Sequence, residues 1–233
     1  MPYRSDELRA IHIEITERCN AACPMCGRNR LGGPDNELLS LHELSLAEIA
    51  SILPPISLSR MQFIHFCGNF GDPAVAKDLF PSLRYVRSCN QSMGIGLSTN
   101  GSVRPPAWWS KVGSILNRNN DVCRLAIDGL SDTNSLYRRG TQFKKIMENA
   151  AAFIKAGGNA SWVFLVFRHN EHQIEEAQTL AESMGFKSFQ LKRTSRFPKN
   201  GKLEVLNRDS SSAGYELLPP SRDAWQHPLV SHR

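Results

Sequence analysis

The 233-residue chain has no stretch approaching the about 18 uncharged apolar residues of a membrane span, which speaks against a bilayer-crossing helix. Residues 1–9 lack an apolar run followed by a small-residue cleavage site, so they do not read as a signal peptide, and a cytoplasmic location is expected. Cysteine is scarce, six in all, and three of the six stand within eight residues of one another. That distribution points to metal ligation in a reducing compartment rather than to a disulfide framework. No internal repeat recurs beyond a strand-helix unit. Lys and Arg outnumber Asp and Glu by 28 to 22, yet no segment masses them; the densest run is Lys187, Lys192, Arg193, Arg196, Lys199 and Lys202. Without a stacking or groove-reading element, nucleic-acid binding is the weaker reading of that charge, and a solvated basic face or an acidic peptide partner accounts for it as well.

What is present is regular alternation. Residues 9–16 place Ile11, Ile13 and Ile15 on one side, as in a strand with one polar face, and a loop rich in cysteine, Gly32, Gly33 and Pro34 follows. Ser45 and Glu48 form a capping-box pattern that opens a helix, closed by Pro54-Pro55. Further strands are expected at 61–66, 94–99, 121–128, 161–167 and 186–192, with helices at 74–87, 105–117, 143–156 and 172–184. Six such alternations in one core-sized chain imply a parallel sheet with right-handed crossovers: an α/β fold, a partial (β/α)6 barrel with function on loops at the C-terminal strand ends. The barrel is expected over 1–197. Residues 198–233, with Pro198, Asn200-Gly201, Ser210-Ser211-Ser212, Gly214, Pro219-Pro220 and Pro228, read as an irregular, linker-like tail.

Cys19, Cys23 and Cys26 make a C-x3-C-x2-C motif in the loop after the first strand. Three thiolates on so short a loop can bind three irons of a cubane cluster and leave the fourth open. Zinc is the competing metal, but a structural site wants four ligands; no second C-x2-C pair is present, and His42 is the nearest downstream candidate.

With this spacing in this place the chain, over about 9–197, resembles the radical S-adenosylmethionine (SAM) enzymes. The resemblance implies a [4Fe–4S] cluster on Cys19, Cys23 and Cys26, SAM chelated at the open iron, a reducing electron donor, and a 5′-deoxyadenosyl radical that abstracts a substrate hydrogen. Gly68-Asn69-Phe70-Gly71-Asp72-Pro73 is similar to the family's glycine-rich SAM loop, with Asp72 set to accept from the SAM ammonium. Ser98-Thr99-Asn100-Gly101 resembles the segment that meets the SAM ribose or carboxylate, and Met25 takes the position that lies against adenine. Asp128-Gly129 with Tyr137-Arg138-Arg139-Gly140 resembles the peptide-modifying, SPASM-type branch, which implies Arg138, or second Arg139, on the SAM carboxylate and a peptide or protein side chain as substrate. Asn170 is a further ribose candidate. That branch continues into a cysteine-rich domain, whereas the last cysteine here is Cys123, so no auxiliary cluster is expected. A non-catalytic iron–sulfur or zinc scaffold with the same fold stays open as the alternative.

Other conspicuous residues take plainer readings. Cys67, Cys89 and Cys123 are expected in the core. Trp108-Trp109 should place one ring inward and one half out. His12 and His65 are expected as hydrogen-bonded interior histidines, and His169 with His172 lacks the partner ligands of a metal site.

Overall fold

The apolar positions of six short segments draw together in the computed structural model, which describes residues 7–209 and 212–221. Strands β1 (Ala10–Ile13), β2 (Phe63–Phe66), β3 (Gly94–Thr99), β4 (Val122–Ala126), β5 (Ala160–Leu165) and β6 (Ser188–Lys192) pair in sequence order, every pair parallel. Parallel neighbours require crossovers. These carry α1 (Leu46–Ile52), α2 (Pro55–Leu58), α3 (Leu79–Cys89), α4 (Pro106–Gly113), α5 (Asn134–Tyr137), α6 (Phe143–Lys155) and α7 (Ile174–Met184). Among the described residues β6 does not pair with β1, so the sheet is the expected partial barrel, left open.

Alternation along each strand sorts the side chains. Ile64, Phe66, Ile95, Leu97, Leu125, Trp162 and Phe164 share one core with Leu83 and Val86 of α3, Trp109 and Val112 of α4, Ile146 and Phe153 of α6, and Ala177 of α7. His12, His65, Ser98, Arg124 and Ser161 stand in register on the opposite, inner face. β5 is buried along almost its whole length, as a strand covered on both sides should be. Trp109 is fully buried and its Nε1 donates to the Val103 carbonyl, while Trp108 is only partly buried against it, as expected.

Element boundaries are the main departure. The capping box forms, Glu48 N donating to Ser45 Oγ and Ser45 N to Glu48 Oε2. The helix expected at 74–87 begins only at Leu79, because Asp72 caps a separate 3-10 turn at Pro73–Val75 and Ala76 leaves it extended. The linker-like reading of the tail needs correction in part. Strands β7 (Leu203–Leu206) and β8 (Ala213–Leu217) form an antiparallel hairpin, and Leu206 N donates to Leu31 O of the cysteine loop. Composition misled there because Leu203, Val205 and Leu217 are few, but all three are buried. Ser210, Ser211 and Pro228 of the expected tail lie outside the described residues. No helix among the described residues is long and apolar enough to cross a membrane.

Candidate functional site

The chain leaves β1 at the C-terminal edge of the sheet and forms the cysteine loop. Arg28 holds its base, donating to Glu17 O at 2.6 Å and pairing with Asp35 at 3.3 Å. Asn29 ties Cys23 O to Gly32 N, and Cys26 N donates to Cys23 O. The three thiols are free, Cys23 buried and the other two half-buried. Each has a polar neighbour: Ala21 N donates to Cys19 Sγ at 3.3 Å, Asn100 Nδ2 approaches it at 3.8 Å, and Arg138 Nη1 approaches Cys23 Sγ at 3.6 Å. The Cys26 thiol donates to Asn69 O at 3.6 Å.

Burial pushes the Cys19 thiol up to about 12 and raises Cys23 as well, against the lowering effect of Arg138. The cysteines also raise one another, Cys23 acting on Cys19 and Cys26 on Cys23. Yet no three His, Cys, Asp or Glu side chains among the described residues converge on one ion position. Three cysteines on one short loop suit a polynuclear cluster, in which each iron takes its own cysteine, better than a single zinc, which wants four ligands. An apolar shell of Ala21, Met25, Tyr137, Phe167, Leu203, Val205 and Leu217 surrounds them. The donor set and its dry surroundings therefore fit an iron–sulfur cluster.

Gly68, Asn69 and Gly71 form a tight turn beside this loop. A Cβ on Gly71 would fall 1.7 Å from Thr16 O, and one on Gly68 2.1 Å from Gly71 O, so both positions require glycine for close backbone approach. Glu14 braces the turn. Its carboxylate accepts from Phe70 N at 2.7 Å, Gly71 N at 3.2 Å and Asn69 Nδ2 at 3.2 Å. Sequence reasoning missed Glu14; its signal was the polar face that it shares with His12 on the first strand.

Asp72, expected to accept from a ligand ammonium, is held by donors of the chain itself. Its carboxylate is buried and accepts from Ala74 N, Thr99 Oγ1 and Asn100 N at 2.9, 2.8 and 2.7 Å, locking this turn to the end of β3. Burial raises its pKa while those donors hold it down. Asn170 is engaged likewise: its Nδ2 donates to Asp128 O and Leu165 O, and its Oδ1 accepts from Phe167 N. Cys67 is half-buried beside Ser98 at the end of β2 rather than in the core, whereas Cys123 lies within the core. Asn100 reaches Asn20 and Cys19, and Ser98 reaches His65 instead. Met25 packs with the apolar shell and takes a contact from Thr194 Oγ1.

The two adjacent arginines divide cleanly. Arg138 Nε donates to Asp128 Oδ2 at 2.6 Å, and its guanidinium turns toward Cys23. Burial works against the Arg138 charge, but Asp128, Cys23 and Tyr137 together outweigh it and raise the pKa. Arg139 instead donates to Gly32 O and Leu206 O, clamping the β7–β8 hairpin to the cysteine loop, and lies 5.8 Å over the Tyr215 ring.

Comparison with known proteins agrees with this geometry. The family profile described as Radical SAM superfamily matches residues 13–181. GTP 3′,8-cyclase of Staphylococcus aureus (strain JH9) is 25% identical over 149 residues, 60% of this chain and 41% of that protein. The chain thus spans about two fifths of the length of the curated relatives it matches. Streptococcus suis SuiB, solved with its precursor peptide SuiA, superposes with a TM-score of 0.62 at 17% identity over 81% of this chain and 40% of that one. Native anSMEcpe with bound AdoMet gives 0.61 at 18% identity over 80% and 51%. Both share the fold described above.

Proposed function

The chain belongs to the radical SAM superfamily, whose members use a [4Fe–4S] cluster and SAM, and from that premise we propose that it cleaves SAM reductively at a cluster held by Cys19, Cys23 and Cys26. The observation that carries the reading is the trio of free thiols on one loop at the barrel mouth, with Ala21 N–H, Asn100 Nδ2 and Arg138 Nη1 directed at sulfur. When bound, the reduced cluster supplies one electron to the SAM sulfonium, giving methionine and a 5′-deoxyadenosyl radical that takes a hydrogen atom from substrate.

The chain's own residues prepare that step. Cys19, Cys23 and Cys26 would hold three irons of a bound cluster, and the fourth would be free to take the amino and carboxylate groups of SAM. The three donors offset negative charge on sulfur and so tune the reduction potential. Arg138 keeps N–H groups beyond those facing Asp128 and Cys23, and its planar fork suits the SAM carboxylate. The braced turn at Gly68, Asn69 and Gly71 offers backbone to the SAM amino group, and Asn100 lies between that turn and Cys19. Asp72 and Glu14 position these loops. The apolar shell around Met25 and Tyr137 keeps water from the site.

A peptide or protein side chain is the substrate class we favour, on the likeness of the fold to SuiB, a structure bound to a precursor peptide. The test is anaerobic reconstitution with iron and sulfide, then dithionite and SAM, with 5′-deoxyadenosine followed by chromatography. Product from the wild type and none from Cys23→Ala is expected; a loaded cluster that gives no product sinks the reading in favour of a scaffold.

A further inference from the structure

Inside the open barrel, polar side chains from five strands face one another. His12 and His65 stack with ring centroids 5.4 Å apart, His12 Nε2 donates to Cys67 O, and Ser98 Oγ lies 2.8 Å from His65 Nε2. Arg124 stands opposite Ser98 in the β3–β4 register, so its side chain leaves the sheet on the same inner side. The same alternation, carried from Arg124 through Ser161 and Ser188, brings Gln190 and Lys192 of β6 to that side. His65 senses both cations: its pKa is lowered to about 4, first by burial and then by Arg124, His12 and Lys192.

The charges inside the barrel do not balance. Among the described residues neither the Arg124 nor the Lys192 side chain has a hydrogen bond or ion pair. The acids that could answer them are engaged: Glu14 with the glycine turn, Asp128 with Arg138, and Asp72 with three donors. Neutral His65 adds no compensating charge. The wall is also kept bare beside it, since a Cβ on Gly96 would lie 2.9 Å from His65 Cδ2 and 2.8 Å from Phe63 Cζ. Two like charges on one inner face, Arg124 half-buried and Lys192 exposed, with no acid of the chain paired to them, attract an anion.

We propose that Arg124 and Lys192 hold an oxyanion of the substrate, a carboxylate or a phosphate, inside the barrel, with His65 and Ser98 as its neutral neighbours. The proposal deepens the radical SAM reading and rests on it, because it assigns the barrel interior to substrate and the mouth to SAM. Arg124, half-buried, supplies a planar pair of donors; Lys192, exposed at the C-terminal end of β6, supplies a point charge that draws the anion in. An acidic side chain or chain terminus of a peptide meets the requirement, as does a phosphate ester.

The probe is inorganic phosphate, titrated by calorimetry into cluster-loaded, SAM-saturated protein, so that the carboxylate of SAM already occupies its own site. Saturable binding is expected, weakened about tenfold or more in Arg124→Gln and about fivefold in Lys192→Gln. Arg124→Lys, which keeps the charge and loses the fork, should fall between, and Lys155→Gln on the outer face of α6 should match the wild type. Unchanged phosphate affinity in Arg124→Gln overturns the proposal. So does a loss of SAM affinity in Arg124→Gln as large as the loss of phosphate affinity, which would assign Arg124 to the carboxylate of SAM. Failure of the wild type to form 5′-deoxyadenosine speaks against the SAM reading itself, and the two failures are thereby separated.

Discussion

Replacing Arg138 by Gln should destabilise the iron-free protein at neutral pH and much less in acid. Asp128 is fully buried, its Oδ2 takes Arg138 Nε at 2.6 Å and its Oδ1 takes Leu165 N at 2.6 Å. Burial already pushes its carboxyl up, and Arg138 is the chief opposing influence. In Arg138→Gln the buried carboxylate loses its cation, a change that typically costs about 3–5 kcal/mol. Protonation sets a ceiling on that cost. An unfolded Asp titrates near 4, so holding the folded carboxyl neutral at pH 7 costs about 1.4 kcal/mol per unit over roughly three units, or about 4 kcal/mol. The sign follows: above pH 4 the folded variant holds a proton that its unfolded chain lacks, so the variant gains stability relative to wild type as pH falls. Urea unfolding at pH 7 and pH 5 checks this, with an expected deficit of about 4 kcal/mol shrinking to about 1.5 kcal/mol. A deficit below about 1 kcal/mol at pH 7, or one that is the same at both pH values, refutes the reasoning. Asp128→Asn in the same background should restore most of the loss.

Three other perturbations read other parts of the structure. In iron-free protein at pH 8, iodoacetamide should alkylate Cys19 about a thousandfold more slowly than an unperturbed thiol, since a pKa pushed up to about 12 leaves little thiolate; peptide mapping by mass spectrometry reads the rate, and rapid labelling counts against the buried setting. Gly71→Ala must move the Thr16 carbonyl, for an expected loss of about 3 kcal/mol in urea unfolding together with impaired cluster loading by absorbance; wild-type behaviour in both would mean the turn is looser than drawn. Arg139→Ala removes both clamps on the hairpin and should speed hydrogen exchange at Leu203–Leu206 by about tenfold or more, leaving β3 exchange unaltered. Equal protection in the variant would show that Leu203, Val205 and Leu217 hold the hairpin without it.

Periodicity made much of the fold legible. Gly94–Thr99 was expected to the residue because its ends are marked chemically, by polar Ser92 before it and the Asn100-Gly101 turn after it. The start of α3 was obscured, since Leu79, Leu83 and Val86 all lie within the helix and their spacing does not report the break before them, where Asp72 caps a separate turn at Pro73–Val75. The cysteine motif was legible because its three cysteines fall within eight residues, and local spacing reports local geometry. The partners of Asp72 and Asn170 were hidden for the opposite reason: Thr99 and Asn100 for the first, and Asp128 for the second, are distant in sequence.

The order of strands and helices, the three thiols and the two glycines of the turn beside them were set by local chemistry, which a linear chain displays: alternation, caps, spacing and backbone freedom. Which arginine turns to Cys23 and which clamps a hairpin was not local, since Arg138 and Arg139 are adjacent and differ only in what the fold brings to them. The same holds inside the barrel. His12, His65, Ser98, Arg124 and Lys192 come from five strands, and only parallel pairing with its two-residue alternation lines them along one face, where their unbalanced charge becomes visible.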